Sequence, residues 1–160
     1  MLLLVNVGFM QSFTSIPFKT ETGMSQINGV AKFSPAGIVL EFESKFLGLI
    51  STGVKEARIS IGELHSVKFK KGVMKRGAKI EIRLNSFTKL TEVPNQEGKI
   101  ILKLFADDFD TARDAVGRLE KDMAEYTASL PPRHPPLRSL FDESEDDTKE
   151  LALTPTPSSK

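Results

Sequence analysis

Apolar and polar residues alternate along most of the chain from Ile27 to Phe105, the period of two expected of half-buried β-strands. Ile27, Gly29, Ala31 and Phe33 alternate with Asn28, Val30 and Lys32. After the turn Ser34-Pro35-Ala36-Gly37, Ile38, Leu40 and Phe42 alternate with Val39, Glu41 and Glu43. A looser stretch containing Gly48 and Gly53 leads to Ala57, Ile59 and Ile61. Beyond a short turn at Gly62-Glu63, the alternation sends Val67 and Phe69 inward and Ser66, Lys68 and Lys70 outward. Gly72 and Gly77 bracket a loop, after which Ile80, Ile82 and Leu84 face in while Lys79, Glu81 and Arg83 face out. Residues 87–93 are expected to form a short strand, 94–98 a turn-rich link, and 99 to about 105 the last strand. Seven strands at this spacing predict a sandwich or barrel.

The period then changes. Phe109, Ala112, Val116, Leu119, Met123, Tyr126 and Leu130 recur at alternating steps of three and four, one apolar stripe along an α-helix. Asp107 or Asp108 is expected to cap its start, and Pro131-Pro132 to end it. About three heptads of stripe predict docking on the sheet of the same domain. Beyond Leu130 the composition shifts: residues 131–160 hold six of the nine prolines and an acidic run at 142–147. Such a segment buries too little apolar surface to offset its chain entropy, so it is expected to be a disordered tail. The domain proper is placed at residues 14–130. Residues 1–13 form an apolar leader, of which 1–10 read MLLLVNVGFM. That run is short for a membrane span, which takes ~20 residues, and no basic residue precedes Lys19 as a secretory signal would want. A leader that packs on the domain, or a start assigned too early, is the expectation, with a cytoplasmic protein as the default.

Composition narrows the chemistry. The chain has 160 residues, a net charge of +1, no Cys and no Trp. A length of ~100–150 residues suits one domain, and without cysteine there is no disulfide framework, thiolate metal site or thiol nucleophile. The two histidines, His65 and His134, have no metal-ligand spacing. Residues 72–79, GVMKRGAK, approach a phosphate loop but misplace the lysine and lack the following Ser or Thr. Glu41 and Glu43 share a strand face, which an ordinary solvent face explains. No enzyme, cofactor or metal is expected.

Three stretches, GVAKFSPAGIVLEF, ARISIGELHSVKFKKG and KIILKLFADDFDTARDAV, carry the order of strands and final helix. In that order the chain resembles the pleckstrin homology (PH)-like superfamily, in its small bacterial members, between Gly29 and Tyr126. The resemblance implies a mostly β fold: a seven-stranded, partly open barrel of two orthogonal antiparallel sheets, capped by a C-terminal α-helix. It also implies a non-enzymatic binding module. Phosphoinositide-binding members carry a basic motif on their first two strands and the connecting loop. Here Lys32 is followed by Phe33-Ser34-Pro35-Ala36-Gly37 and then Glu41 and Glu43, so inositol-phosphate recognition at that place is not expected.

The candidate binding residues lie instead in residues 68–83, KFKKGVMKRGAKIEIR: Lys68, Lys70, Lys71, Lys75, Arg76, Lys79 and Arg83, against the single acid Glu81. Val73 and Met74 add an apolar tip. Such a hairpin suits an anionic lipid surface, where each cation near the headgroups adds ~1 kcal/mol, or docking on a protein partner. The plain alternative is a solvated hairpin whose charges keep an edge strand soluble. Nucleic acid is disfavoured, since the aromatic in the run, Phe69, points inward where single-strand binders expose stacking platforms. Around the hairpin, residues 45–103 hold 13 basic and 5 acidic residues, whereas 107–125 hold 7 acidic and 3 basic. The second functional class is a structural, homo-oligomeric unit that associates through strand edges or the helix stripe.

Overall fold

The computed structural model describes residues 12–72 and 77–132. Residues 1–11 of the leader, Val73, Met74, Lys75 and Arg76 in the hairpin loop, and the tail from residue 133 lie outside the described residues. By its internal contacts the chain divides between Ser129 and Leu130.

The fold is mostly β. In chain order the elements are β1 (Thr14–Thr22), β2 (Ser25–Ser34), β3 (Gly37–Phe46), β4 (Ile50–Ser60), β5 (Leu64–Lys70), β6 (Lys79–Leu84), α1 (Phe87–Leu90), β7 (Ile100–Leu104) and α2 (Phe109–Ser129). The seven strands form one antiparallel sheet in the order β4-β3-β2-β1-β7-β6-β5, with β4 and β5 as its two edges. The sheet is therefore not closed. Its two halves meet where β1 pairs with β7, in register at Phe18↔Leu104 and Lys19↔Lys103.

Seven strands are expected and seven form, but not the same seven. β1 lies ahead of the expected first strand. Its inward residues are Ile16, Phe18 and Thr20, and the threonine and Pro17 blur the alternation that would have announced it. Pro17 sits where β1 has β2 beside it and no registered β7 partner, a position a strand tolerates for proline. Conversely, residues 87–93 are not a strand. Leu90 and Val93 are buried three residues apart, a helical spacing, while Phe87 is exposed. The Asn95 side-chain amide donates to the Leu90 and Val93 carbonyls at 2.8 and 3.3 Å, which holds the turn after α1.

One face of the sheet is the core. Phe18, Ile38, Leu40, Ile80, Ile82, Ile100 and Leu102 project from it almost without exposure. Helix α2 covers this face through Ala112, Ala115, Val116 and Leu119, with Phe109 and Met123 partly buried at either end. The stripe is thus covered by its own sheet as far as Met123, and Tyr126 beyond it is 39% exposed. Asp107 and Asp108 both lie in the 3-10 turn Ala106–Asp108, which runs directly into α2 at Phe109. Their carboxylates suit the positive end of the helix dipole. No helix among the described residues is long and apolar enough to cross a membrane.

Both sheet edges carry features that oppose further pairing. β4 has a register irregularity opposite Glu43 and Lys45, with Gly53 at φ +79°, and exposes Lys55, Glu56 and Arg58. β5 has an irregularity at Leu64/Ser66 and exposes Lys68 and Lys70. Bulges twist an edge away from a second strand, and lysines cost desolvation if one docks.

Gly29 shows how tightly β2 is held between its neighbours β1 and β3. A Cβ there would stand 2.3 Å from the Glu41 carbonyl oxygen and 2.8 Å from the Phe18 ring. Gly29→Ala is expected to destabilise the domain by ~1–3 kcal/mol, the usual cost of overpacking, without changing its far-UV circular dichroism. An unfolding midpoint in urea equal to wild type would show that both the Phe18 ring and the β3 backbone at Glu41 yield freely.

Candidate anion-docking face

The inward side chains of β5, β6 and β7 determine the composition of the opposite face. Val67 and Phe69, Ile80 and Ile82, and Ile100, Leu102 and Leu104 turn to the core. Their neighbours Lys68, Lys70, Lys79, Glu81, Arg83 and Lys103 must then point outward, because successive side chains on a strand alternate.

The register aligns three of these charges with a fourth on β1. Lys70 opposes Lys79, Lys79 opposes Lys103, and Lys103 opposes Lys19 on β1. Four lysines therefore cross four adjacent strands in one row. Directly opposed like charges cost a strand pair stability, with side chains ~4.5–5.5 Å apart at Cβ. The neutralisation is partial. Lys103 lies 3.4 Å from a Glu21 carboxylate oxygen, and both groups are more than half exposed. Lys19 stands over the Phe105 ring at 5.0 Å. Among the described residues, Lys79 has no carboxylate within 4.0 Å.

Glu81 organises the other side of the row. It stands opposite Lys68 and Ile101 in register and is 6% exposed, shielded by the cations around it. Lys70 donates to it at 2.6 Å, Arg83 lies at 3.5 Å and Lys99 at 4.0 Å. The Lys70 hydrogen bond, followed by the attraction of Lys70, Lys99 and Arg83, holds the Glu81 carboxyl below its usual range, and desolvation only partly opposes this. Charge-assisted bonds of this kind fix the directions of flexible side chains. Glu81 thus locks Lys70 and Arg83 to the face while removing one unit of the positive charge.

Beside the row, Lys70, Lys71, Lys79 and Lys103 line an open hollow of ≈ 460 Å³ together with Gly72 and Gly77. Of the seven sequence candidates, Lys68, Lys70, Lys79 and Arg83 share this outer face, and Lys71 stands at its rim. Lys75 and Arg76 lie outside the described residues. Sequence reasoning missed Lys19, Lys99 and Lys103. Alternation alone marks Lys103 as outward, between Leu102 and Leu104. Its meeting with Lys19 depends on β1 lying beside β7, which no local pattern states. Elsewhere, Glu41 is bound to Lys32 at 2.5 Å, so the Glu41/Glu43 pair is not a free carboxylate pair. His65 contacts the Asn85 side chain at 3.2 Å. Among the described residues no group of three His, Asp or Glu could hold a metal ion.

Comparison of the chain with protein-family models, with curated proteins and with solved structures finds no match. The chemistry of this face accordingly rests on its own geometry.

Glu81 sets a sign for pH. Its folded carboxyl titrates below the ordinary value of 4.5, so its contribution to stability is present above that pH and is lost as pH falls through the lowered value. Unfolding in urea at pH 7 and pH 3 is expected to show a smaller acid loss in Glu81→Gln than in wild type. Equal losses in the two proteins would mean that Glu81 is not held charged by its neighbours.

Proposed function

We propose that the chain is a non-enzymatic, PH-like binding module that docks on an anionic lipid surface through the outer face of β5, β6, β7 and β1. The observation that carries the reading is the row Lys70–Lys79–Lys103–Lys19. Three like-charge cross-strand pairs disfavour folding, and an external anion relieves all three together. The row crosses four strands, roughly 15 Å at ~4.8 Å per strand, which matches an extended array of charge better than a single ion.

The PH-like part of the proposal is supported by the element order. Strands β1 to β4 and β5 to β7 make two halves joined at the β1–β7 contact, with the last helix across the core face. Such halves can cross at a steep angle and give the partly open barrel that the resemblance implies. A solvated edge needs lysines on β5 alone. It gives no reason for Lys103 and Lys19, which stand on interior strands of the sheet.

The expected attachment is weak. Each cation near an anionic leaflet adds ~1 kcal/mol, so four give about the affinity of a millimolar contact. Glu21 and Glu81 subtract from that sum. Attachment should also weaken as salt shortens the Debye length, ~10 Å at 0.1 M.

Co-sedimentation of the full chain with anionic and neutral vesicles tests this. Binding is expected to anionic vesicles only, to fall with added salt, and to be lost in Lys70→Gln/Lys79→Gln/Lys103→Gln. Glu81→Gln, which frees Lys70 and Arg83, is expected to bind more tightly. No sedimentation of either protein with anionic vesicles, together with salt-sensitive capture by an acidic peptide, would overturn the lipid reading in favour of a protein partner.

A further inference from the structure

A second surface lies apart from the lysine row, at the end of the sheet formed by the β1–β2 and β3–β4 turns. Met24, Phe46, Leu47, Leu49 and Ile50 are 70, 43, 60, 88 and 64% exposed there. The two turns are joined, since the Leu47 N–H donates to the Met24 carbonyl at 3.2 Å. No charged residue occurs between Lys45 and Lys55. Leu47 also adopts φ +50°, a left-handed conformation that disfavours a branched side chain. A glycine or asparagine would be easier there, and the exposed leucine side chain returns little to folding. Contiguous apolar surface of this kind marks a contact with another molecule.

We propose that this tip is an interface between two copies of the chain, joined tip to tip about a two-fold axis. Two observations select a second copy. The first is area. At these exposures the five side chains present on the order of 600 Å², against ~800 Å² per partner in a standard interface. That supports a weak, concentration-dependent dimer. The second is charge. A two-fold interface places one patch against itself, so charged groups at its rim find opposite partners only if both signs are present there. The base of the tip has both: Lys45 and Lys55 flank the uncharged run, beside Glu43 and Glu56, and Glu21 lines the hollow next to Met24 and Leu47. An anionic bilayer would instead meet three carboxylates against two lysines. The strand edges are guarded, whereas the tip gathers five exposed apolar side chains in two joined turns. This inference does not depend on the lysine row.

Sedimentation velocity of the full chain across a wide concentration range tests it. A monomer–dimer equilibrium is expected that persists at high salt, where the lysine face is screened. Leu47→Ser/Leu49→Ser/Ile50→Ser is expected to weaken dimerisation by about tenfold or more while keeping the wild-type thermal unfolding profile. Because the chain has no Trp, Leu49→Trp supplies a single reporter whose emission should shift to the blue as concentration rises. Should the triple serine variant lose its fold, this reporter decides alone. The proposal is overturned if the wild type stays monomeric throughout or the triple variant dimerises as well as wild type. It is equally overturned if the tryptophan shifts only when vesicles are added, which would make a bilayer the occupant.

Discussion

Burial of one face of the sheet under α2 is the constraint on which the rest of the structure depends. Each strand has two sides, and once Phe18, Ile80, Ile82, Leu102 and Leu104 turn to the core their neighbours have no choice of direction. The lysine row is the other side of that commitment. A slip of one residue in β6 or β7 would drive lysines into the core and expose isoleucines, so the hydrophobic face fixes the register of the charged one. The site is thereby set on rigid strands, and its spacing across the sheet follows from backbone hydrogen bonding.

Within that frame, Glu81 makes the basic face possible and also limits it. A row of like charges with no internal counter-ion would repel itself apart; one shielded carboxylate bound to Lys70, with Arg83 and Lys99 close by, holds the cluster together. The pairing leaves Lys79 and Lys71 as the least neutralised groups beside the hollow. The strength of the face is therefore a balance between order and free charge.

Much of this was legible in the residues. The alternation at Ile38–Phe42, Val67–Phe69 and Ile80–Leu84 and the three-four stripe of α2 each reported a local period, and each formed as that period requires. The outward direction of Lys68, Lys70, Lys79 and Arg83 followed from the same period. Where the local signal was mixed, it misled. Pro17 and Thr20 hid β1, and a run of Phe, Leu and Val with β-propensity concealed the helical spacing of Leu90 and Val93. Strand order was not legible at all, because pairing between β1 and β7 joins residues far apart in the chain. The exposed tip was not foreseen either, since Phe46, Leu47, Leu49 and Ile50 look like core residues until the hairpin that carries them extends past the core.

The narrow β1–β7 contact has a consequence for how ligand and fold are coupled. It joins two larger blocks of strands through Phe18↔Leu104 and Lys19↔Lys103, and the lysine row passes straight across it. A polyanion held by Lys19 on one block and by Lys103, Lys79 and Lys70 on the other would act as a staple over the weakest seam of the sheet. Occupancy would then be felt as cohesion: opening at the seam becomes rarer in proportion to the bound fraction, and amide exchange along β1 and β7 would slow before any shape changed.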